Sequence, residues 1–303
     1  MWSLLLKRFW LIFAVVVVIA AVIALRVTHL DVLLMKAWTL NRQPMPETAL
    51  DLGRYRADIQ SVAIEGLEEE LSALTYNADR DSLFAVSNDP PQIIELSLEG
   101  NLLRRIAIKD IGDPEGLEYL GENWYAIGEE RSRQVFLTLL AEDAGALDAA
   151  TMQSTRLEMG GNGNKGLEGL AWDAEDRRLF AVKEREPLRL MAINGFGRQV
   201  AADGQPVTVE ELHVPDGGLF MRDLSSLTYI QETGHLLLLS DESHMLVEYD
   251  RELRPVSLMG LWPGMSGLHR RVPQAEGVAI DSQGRIYIVS EPNLFYRFVP
   301  DSR

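Results

Sequence analysis

The chain has 303 residues, 47% of them hydrophobic, enough to bury one large core or two modest ones. It contains no cysteine, which excludes disulfides, thiol nucleophiles and thiolate metal sites, and its five histidines form no His-x-x-x-His pair, which argues against a zinc enzyme. The formal charge of −16 is uneven: residues 1–48 carry +3, leaving −19 on the remainder, a body that repels phosphate backbones and gives no reason to expect a nucleic-acid partner.

The chain opens on an apolar run from Phe9 to Leu25 behind Lys7 and Arg8. Its length is near the short limit for a membrane span and exceeds most signal-peptide cores. Val22-Ile23-Ala24 could serve as a cleavage site, but Arg26 directly after it resembles the edge of a span. The expected layout is a cytoplasmic flank over 1–8, a transmembrane anchor over 9–26 and a juxtamembrane linker over 27–54. Basic residues are nearly balanced across the span, so they orient it only weakly. A short N-terminal flank followed by the whole domain favours a bacterial inner-membrane anchor with the body, 55–303, in the periplasm.

The body is a strand-pair cassette repeated five times. First strands begin Glu115-Gly116-Leu117, Glu168-Gly169-Leu170 and Glu276-Gly277-Val278, with a variant form in Leu71-Ser72-Ala73-Leu74 and Leu224-Ser225-Ser226-Leu227. In the variant the carboxylate lies two residues earlier, at Glu70 or Asp223, and a shift of two keeps a strand side chain on the same face. Each second strand is short and apolar and ends in an oxygen ligand: Asn88, Glu129, Glu184, Asp241 or Glu291. Tight turns such as Asp281-Ser282-Gln283-Gly284 make each pair antiparallel.

A third strand follows each pair, as in Gln92–Leu96 and Leu246–Asp250, and a fourth where room allows. Four short strands per repeat of this spacing predict propeller blades, against a β-sandwich with coincidental similarity. The fifth repeat stops after three strands, while an unmatched stretch, Ile59–Ile64, precedes the first. An all-β fold of five blades, the last closed by the N-terminal strand, is therefore expected.

First strands of a propeller line its central channel. Glu70, Glu115, Glu168, Asp223 and Glu276 would converge at one mouth, with Asn88, Glu129, Glu184, Asp241 and Glu291 as a wider ring behind. Crowded like charges must be neutralised, and oxygen ligands of this kind suit a divalent cation, Ca²⁺ ahead of Mg²⁺. Alternatively the acids accept backbone hydrogen bonds, with the glycine after each glutamate merely allowing blades to pack closely. Lys183, Arg131, Arg185, His244, the segment Gly160–Lys165 and His269–Arg271 form a basic fringe that could hold an anion or pair with the acids. The recurrent Tyr76, Tyr119, Trp172 and Tyr229 read as packing between blades.

The Glu-Gly-Leu and Leu-Ser-x-Leu-Thr-Tyr strand starts, with the Ser-Asn-Asp, Gly-Glu-Glu-Arg and Ser-Asp-Glu strand ends, resemble the SdiA-regulated family of bacterial envelope β-propellers. The resemblance covers roughly residues 55–300. It implies a calcium-associated, five-bladed propeller connected to calcium homeostasis or signalling, with an envelope protein as a potential partner and no established reaction. A more distant similarity to propeller phytases, which hold phosphate esters through calcium, makes a metal-dependent phosphoesterase or lactonase the alternative.

Overall fold

A computed structural model describes residues 2–157, 166–185, 187–197, 207–215 and 217–301. Five antiparallel sheets form the blades. Blade 1 comprises β2 (Ala73–Asn77), β3 (Ser82–Asn88), β4 (Pro91–Leu96) and β5 (Leu102–Lys109). Blade 2 comprises β6 (Pro114–Gly121), β7 (Trp124–Glu129), β8 (Gln134–Leu139) and β10 (Gln153–Arg156). Blade 3 runs through β11 (Leu167–Asp173), β12 (Arg178–Lys183), β13 (Arg189–Asn194) and β14 (Thr208–Glu211). Blade 4 runs through β15 (Ser226–Ile230), β16 (His235–Ser240), β17 (Met245–Tyr249) and β18 (Pro255–Gly260).

Blade 5 holds β19 (Ala275–Ile280), β20 (Ile286–Ser290) and β21 (Leu294–Pro300), and its outer strand is β1 (Tyr55–Ala63). The pairing Tyr55↔Pro300 through Ala63↔Leu294 ties the two ends of the propeller together, so that no blade is left with a missing strand. Inner strands β2, β6, β11, β15 and β19 touch their neighbours in that order, and β19 returns to β2. A short strand from the blade 2 insertion, β9 (Ala146–Asp148), adds in parallel to the outside of blade 1.

The core lies between blades rather than at a single centre. Ile64, Leu74, Ala85 and Phe295 pack between blades 5 and 1, and Phe84, Ile106, Tyr125 and Ile127 between blades 1 and 2. Phe180 of blade 3 stacks on Tyr229 of blade 4, with centroids 5.6 Å apart, the inter-blade role expected for that aromatic series. The glycines of the Glu-Gly motif serve the same closeness. A Cβ on Gly277 would stand 2.7 Å from the carbonyl carbon of Ala73, and one on Gly169 would stand 3.0 Å from the backbone nitrogen of Leu227. Inner strands of adjacent blades approach too closely there for any side chain.

The N-terminal segment begins with α1 (Trp2–Val27), whose stretch Leu6–Val27 is unburied and strongly apolar apart from Lys7, Arg8 and Arg26 near its ends. It is long and apolar enough to cross a membrane, and a signal sequence would have the same character. The segment 27–54, expected as a linker, is packed onto the propeller. It forms α2 (Leu30–Leu40), whose Leu33 and Leu40 are buried against the outer strand β18 of blade 4. Burying two leucines is worth about 1.5–3 kcal/mol each, enough to hold a short helix in place. The chain then passes along blade 4, where the Leu50 amide donates to Glu248 and the Leu52 amide to Ser257 Oγ.

Candidate metal centre

Strand pairing sets the geometry of the mouth. Gly116, Gly169 and Gly277 lie opposite Gly128, Val182 and Val289, and in the variant blades Ala73 and Ser226 lie opposite Val86 and Leu239. One residue before this level, Ser72, Glu115, Glu168, Ser225 and Glu276 form the innermost ring. Two residues earlier again come Glu70, Asp113, Gly166, Asp223 and Gln274. On the second strands the equivalent level holds Asn88, Glu130, Glu184, Asp241 and Glu291.

Two acids absent from the sequence-based set thereby enter the mouth. Asp113 stands in blade 2 where Glu70 and Asp223 stand in theirs, and the same two-residue offset in Asp113-Pro114-Glu115 was the signal for it. Glu130, rather than Glu129, occupies the second-strand position. Glu129 is buried, and its Oε2 accepts the Ser132 amide at 3.1 Å and the Ser132 hydroxyl, closing the β7–β8 turn. The shift by one arises because Gly128, and not Ile127, lies opposite Gly116.

Asp113, Glu115 and Glu130 each bring a carboxylate oxygen within 4.8 Å of the other two, a buried acidic cluster able to hold a metal ion. Asn88 Nδ2 donates to Glu115 Oε1 at 2.5 Å, joining blade 1 to this cluster. Arg131 Nε pairs with Asp113 at 2.8 Å and the Gly166 amide donates to Glu130 at 3.0 Å. Burial pushes Glu115 up to about 7 against the hydrogen bonds of Ser72 and Asn88, with Asp113 and Glu130 adding to the rise. Glu130 is raised by burial too.

Glu168 and Glu276 complete the inner ring and accept no hydrogen bond among the described residues. Burial raises Glu168 well above the usual carboxylate range, reinforced by Glu115, Glu130, Glu276 and Asp113. Burial likewise lifts Glu276 to about 9, with the charges of Asp241, Glu291, Glu115 and Asp223 behind it. Each of the three glutamates thus feels at least one other across the mouth.

The remaining candidates are placed less centrally. Asp223 accepts the Ser240 hydroxyl and the Glu242 amide, and Asp241 accepts the Ala275 amide at 3.2 Å; burial raises both. Glu291 accepts Gln274 Nε2 at 2.7 Å and is raised by burial and by the charge of Glu70. Glu184 is ion-paired with Arg185, and Glu70 is exposed at the rim. The inner set of Glu115, Glu168 and Glu276 is thus flanked by Asp113 and Glu130 on the blade 2 side and by Asp241 and Glu291 around Glu276.

The arginines of the basic fringe beside the second strands are engaged with acids. Arg131 holds Asp113, Arg185 bridges Glu184 and Glu242, and Lys183 Nζ donates to the Arg185 carbonyl. His244 packs edge-on against Trp262, and burial together with Arg271 and Arg222 lowers it to about 4. The segment Gly160–Lys165 lies outside the described residues. Deeper in the channel wall, Glu118 is fully buried, accepting Thr75 Oγ1 at 2.7 Å and the Trp172 amide at 3.0 Å, and burial raises it to about 8.

Among solved structures the chain is similar to those titled nidogen/laminin complex, streptogramin B lyase and luciferin-regenerating enzyme. The nidogen/laminin match has 12% identity and a TM-score of 0.46, over 74% of this chain and 73% of the other. The lyase match has 9% identity and a TM-score of 0.47, over 84% and 100%. The luciferin-regenerating enzyme match has 10% identity and a TM-score of 0.49, over 80% and 96%. The profile of the SdiA-regulated family matches residues 47–299, which spans all five blades with their acidic mouth, and the chain belongs to that family.

Proposed function

We propose that the protein is a membrane-anchored, periplasmic propeller that binds Ca²⁺ at the acidic mouth and acts as a calcium-responsive binding module in the bacterial envelope. The observation that carries this reading is the inner ring: Glu168 and Glu276 accept no hydrogen bond among the described residues while facing Glu115. Leaving acids so close together without donors is costly unless protons or a cation occupy the space between them. The donors on offer are all oxygens, from Glu115, Glu168, Glu276, Asp113 and Glu130, with Ser72 and Ser225 at the same level. Such a set suits a hard cation, and its irregular arrangement suits Ca²⁺ better than the octahedral demands of Mg²⁺. The hydrolase alternative needs free cations to receive an anionic substrate, and the pairing of Arg131 and Arg185 with acids gives it no support.

Calorimetric titration of Ca²⁺ into chelator-stripped, full-length protein in detergent, with Mg²⁺ as control, tests the proposal. Binding should be selective for Ca²⁺, should release protons from the raised carboxyls, and should disappear in Glu168→Gln/Glu276→Gln. No heat and no gain in thermal stability with either ion would overturn it.

A further inference from the structure

The joint between α1 and α2 sits on the rim of the acidic mouth. Arg222, immediately before Asp223, donates through Nη1 to the Val27 carbonyl at 2.7 Å and through Nη2 to the Arg26 carbonyl at 2.5 Å. A guanidinium on the last carbonyls of a helix satisfies groups that have no partner inside it and opposes the negative end of its dipole. His29, left-handed at φ 57°, breaks the helix there, and its Nδ1 lies 2.8 Å from Ser243 Oγ, which also accepts the Arg222 amide at 2.9 Å. Ser243 in turn donates its amide to Ser240 Oγ, the hydroxyl that binds Asp223. The end of α1 is thus clamped, through one short network, to a rim residue of the mouth.

Beyond the joint, α2 is apolar on two sides. One side, Leu33 and Leu40, is buried against blade 4. The other leaves Leu34, Met35 and Trp38 exposed at 47%, 56% and 57%. Packing against the propeller accounts for the first side only, and a helix apolar beyond one stripe needs a second apolar neighbour. The exposed residues follow closely in sequence on the apolar α1, which ends at Val27 three residues before α2 starts and touches α2. Arg42 lies 4.0 Å over the Trp38 ring, and a tryptophan stacked with a cation is suited to the head-group layer, where apolar body and charge are both accommodated. Lys36 lies on the propeller side of the helix, over the Phe220 ring, and donates to the Gly217 carbonyl at 3.0 Å.

We infer that α2 is an interfacial helix that seats the propeller on a lipid bilayer through Leu34, Met35 and Trp38, holding the blade 4 rim of the mouth at head-group level. Asp223 is one residue from the arginine that holds the last carbonyls of α1, so the mouth cannot lie far from the bilayer surface. The inference rests on reading α1 as a span. It replaces the picture of a propeller on a loose tether with one of a propeller laid against the membrane, and a lipid surface is the partner that the exposed face of α2 fits.

The absence of cysteine permits single-site labelling of the full chain. Val17→Cys in α1, Met35→Cys in α2 and Leu103→Cys at an exposed position of β5 in blade 1 would each carry an environment-sensitive fluorophore in nanodiscs of phosphatidylethanolamine and phosphatidylglycerol. Lipid-borne nitroxide quenchers should quench position 35 strongly when the nitroxide is near the head groups, quench position 17 when it is deep, and leave position 103 unaffected. Quenching at 17 with position 35 indistinguishable from 103 would overturn the inference and leave the span intact. No quenching at 17 or 35 would remove both readings. Met35 is exposed, so its replacement does not threaten the fold, and circular dichroism of the labelled protein would verify this.

Discussion

The mouth and the opposite end of the propeller both bury carboxylates, and they neutralise them differently. On the far side each acid has its own donors. Glu95 accepts Arg80 Nε at 2.9 Å, Ser82 Oγ at 3.0 Å and Arg104 Nε at 3.0 Å. Glu248 accepts the Leu50 amide, Ser257 Oγ and a contact from His235 Nδ1 at 2.8 Å. Asp281 and Asp250 accept backbone amides of their own turns and pair with Arg285 and Arg254. At the mouth, by contrast, Glu168 and Glu276 accept no hydrogen bond among the described residues and face other acids, Glu115 and Glu130 beside Glu168, Asp241 and Glu291 beside Glu276. The same residue type is structural at one end and left available at the other, so donor supply, rather than acidity, distinguishes a turn cap from a candidate ion site.

That contrast predicts opposite signs for mutations of similar chemistry. Glu95→Ala takes the shared carboxylate from the partly exposed Arg80 and Arg104 and leaves the buried Ser82 hydroxyl without its acceptor, and should cost about 1–3 kcal/mol whether or not Ca²⁺ is present. Glu168→Gln/Glu276→Gln removes like-charge repulsion and should raise the stability of chelator-treated protein, while abolishing the gain on adding Ca²⁺. For wild type that gain is about 2.7 kcal/mol at a free ion concentration a hundred times Kd. Thermal unfolding with and without chelator measures both effects. A double glutamine variant less stable than wild type in chelator would show that the mouth acids are structural after all.

The pH dependence sharpens the comparison by a smaller amount. Glu115, Glu118 and Glu276 are raised from 4.5 to about 7, 8 and 9. A raised carboxyl binds its proton more tightly in the folded chain than in the unfolded one, so its contribution is full below about 4.5 and drains as pH climbs through the folded value. Chelated protein should therefore lose stability progressively between pH 5 and pH 9, and saturating Ca²⁺ should flatten the decline by replacing protons at Glu115 and Glu276. Unfolding midpoints in denaturant at pH 5, 7 and 9, with and without Ca²⁺, would reveal it. A parallel decline in both conditions would assign the effect to Glu118 and the rest of the protein.

Much of this was legible in the sequence because the repeat carries its own register. Glu-Gly marks the level at which inner strands touch, since no side chain fits at Gly169 or Gly277, and the unmatched strand before blade 1 had a natural place beside β21. Features that depend on distant partners were not legible. Leu33 meets Gly260 across more than two hundred residues, so α2 resembled a linker until its partner strand was in place. The engagement of Arg131 and Arg185 with acids likewise depends on side-chain directions that spacing does not specify. Blade 2 misled for a local reason: Tyr125 imitates Phe84 of β3 or Phe180 of β12, yet Gly128, not Ile127, is the residue opposite Gly116.

This one-residue difference yields the smallest and most discriminating prediction. Glu129 and Glu130 are adjacent, share charge and chemistry, and alternate in direction along the strand end. Glu129 closes a turn through Ser132, whereas Glu130 meets Asp113 and Glu115. Glu130→Gln should weaken Ca²⁺ binding roughly tenfold, about 1.4 kcal/mol, with little change in the stability of chelated protein. Glu129→Gln should leave Ca²⁺ affinity unchanged and lower stability by about 1 kcal/mol through a weakened turn hydrogen bond. Titration calorimetry paired with thermal unfolding separates the two quantities. Equal losses of affinity in both variants would mean that the ion is attracted by the overall negative field of blade 2 and not held by a particular oxygen, because only a coordinating site distinguishes neighbours that point in opposite directions.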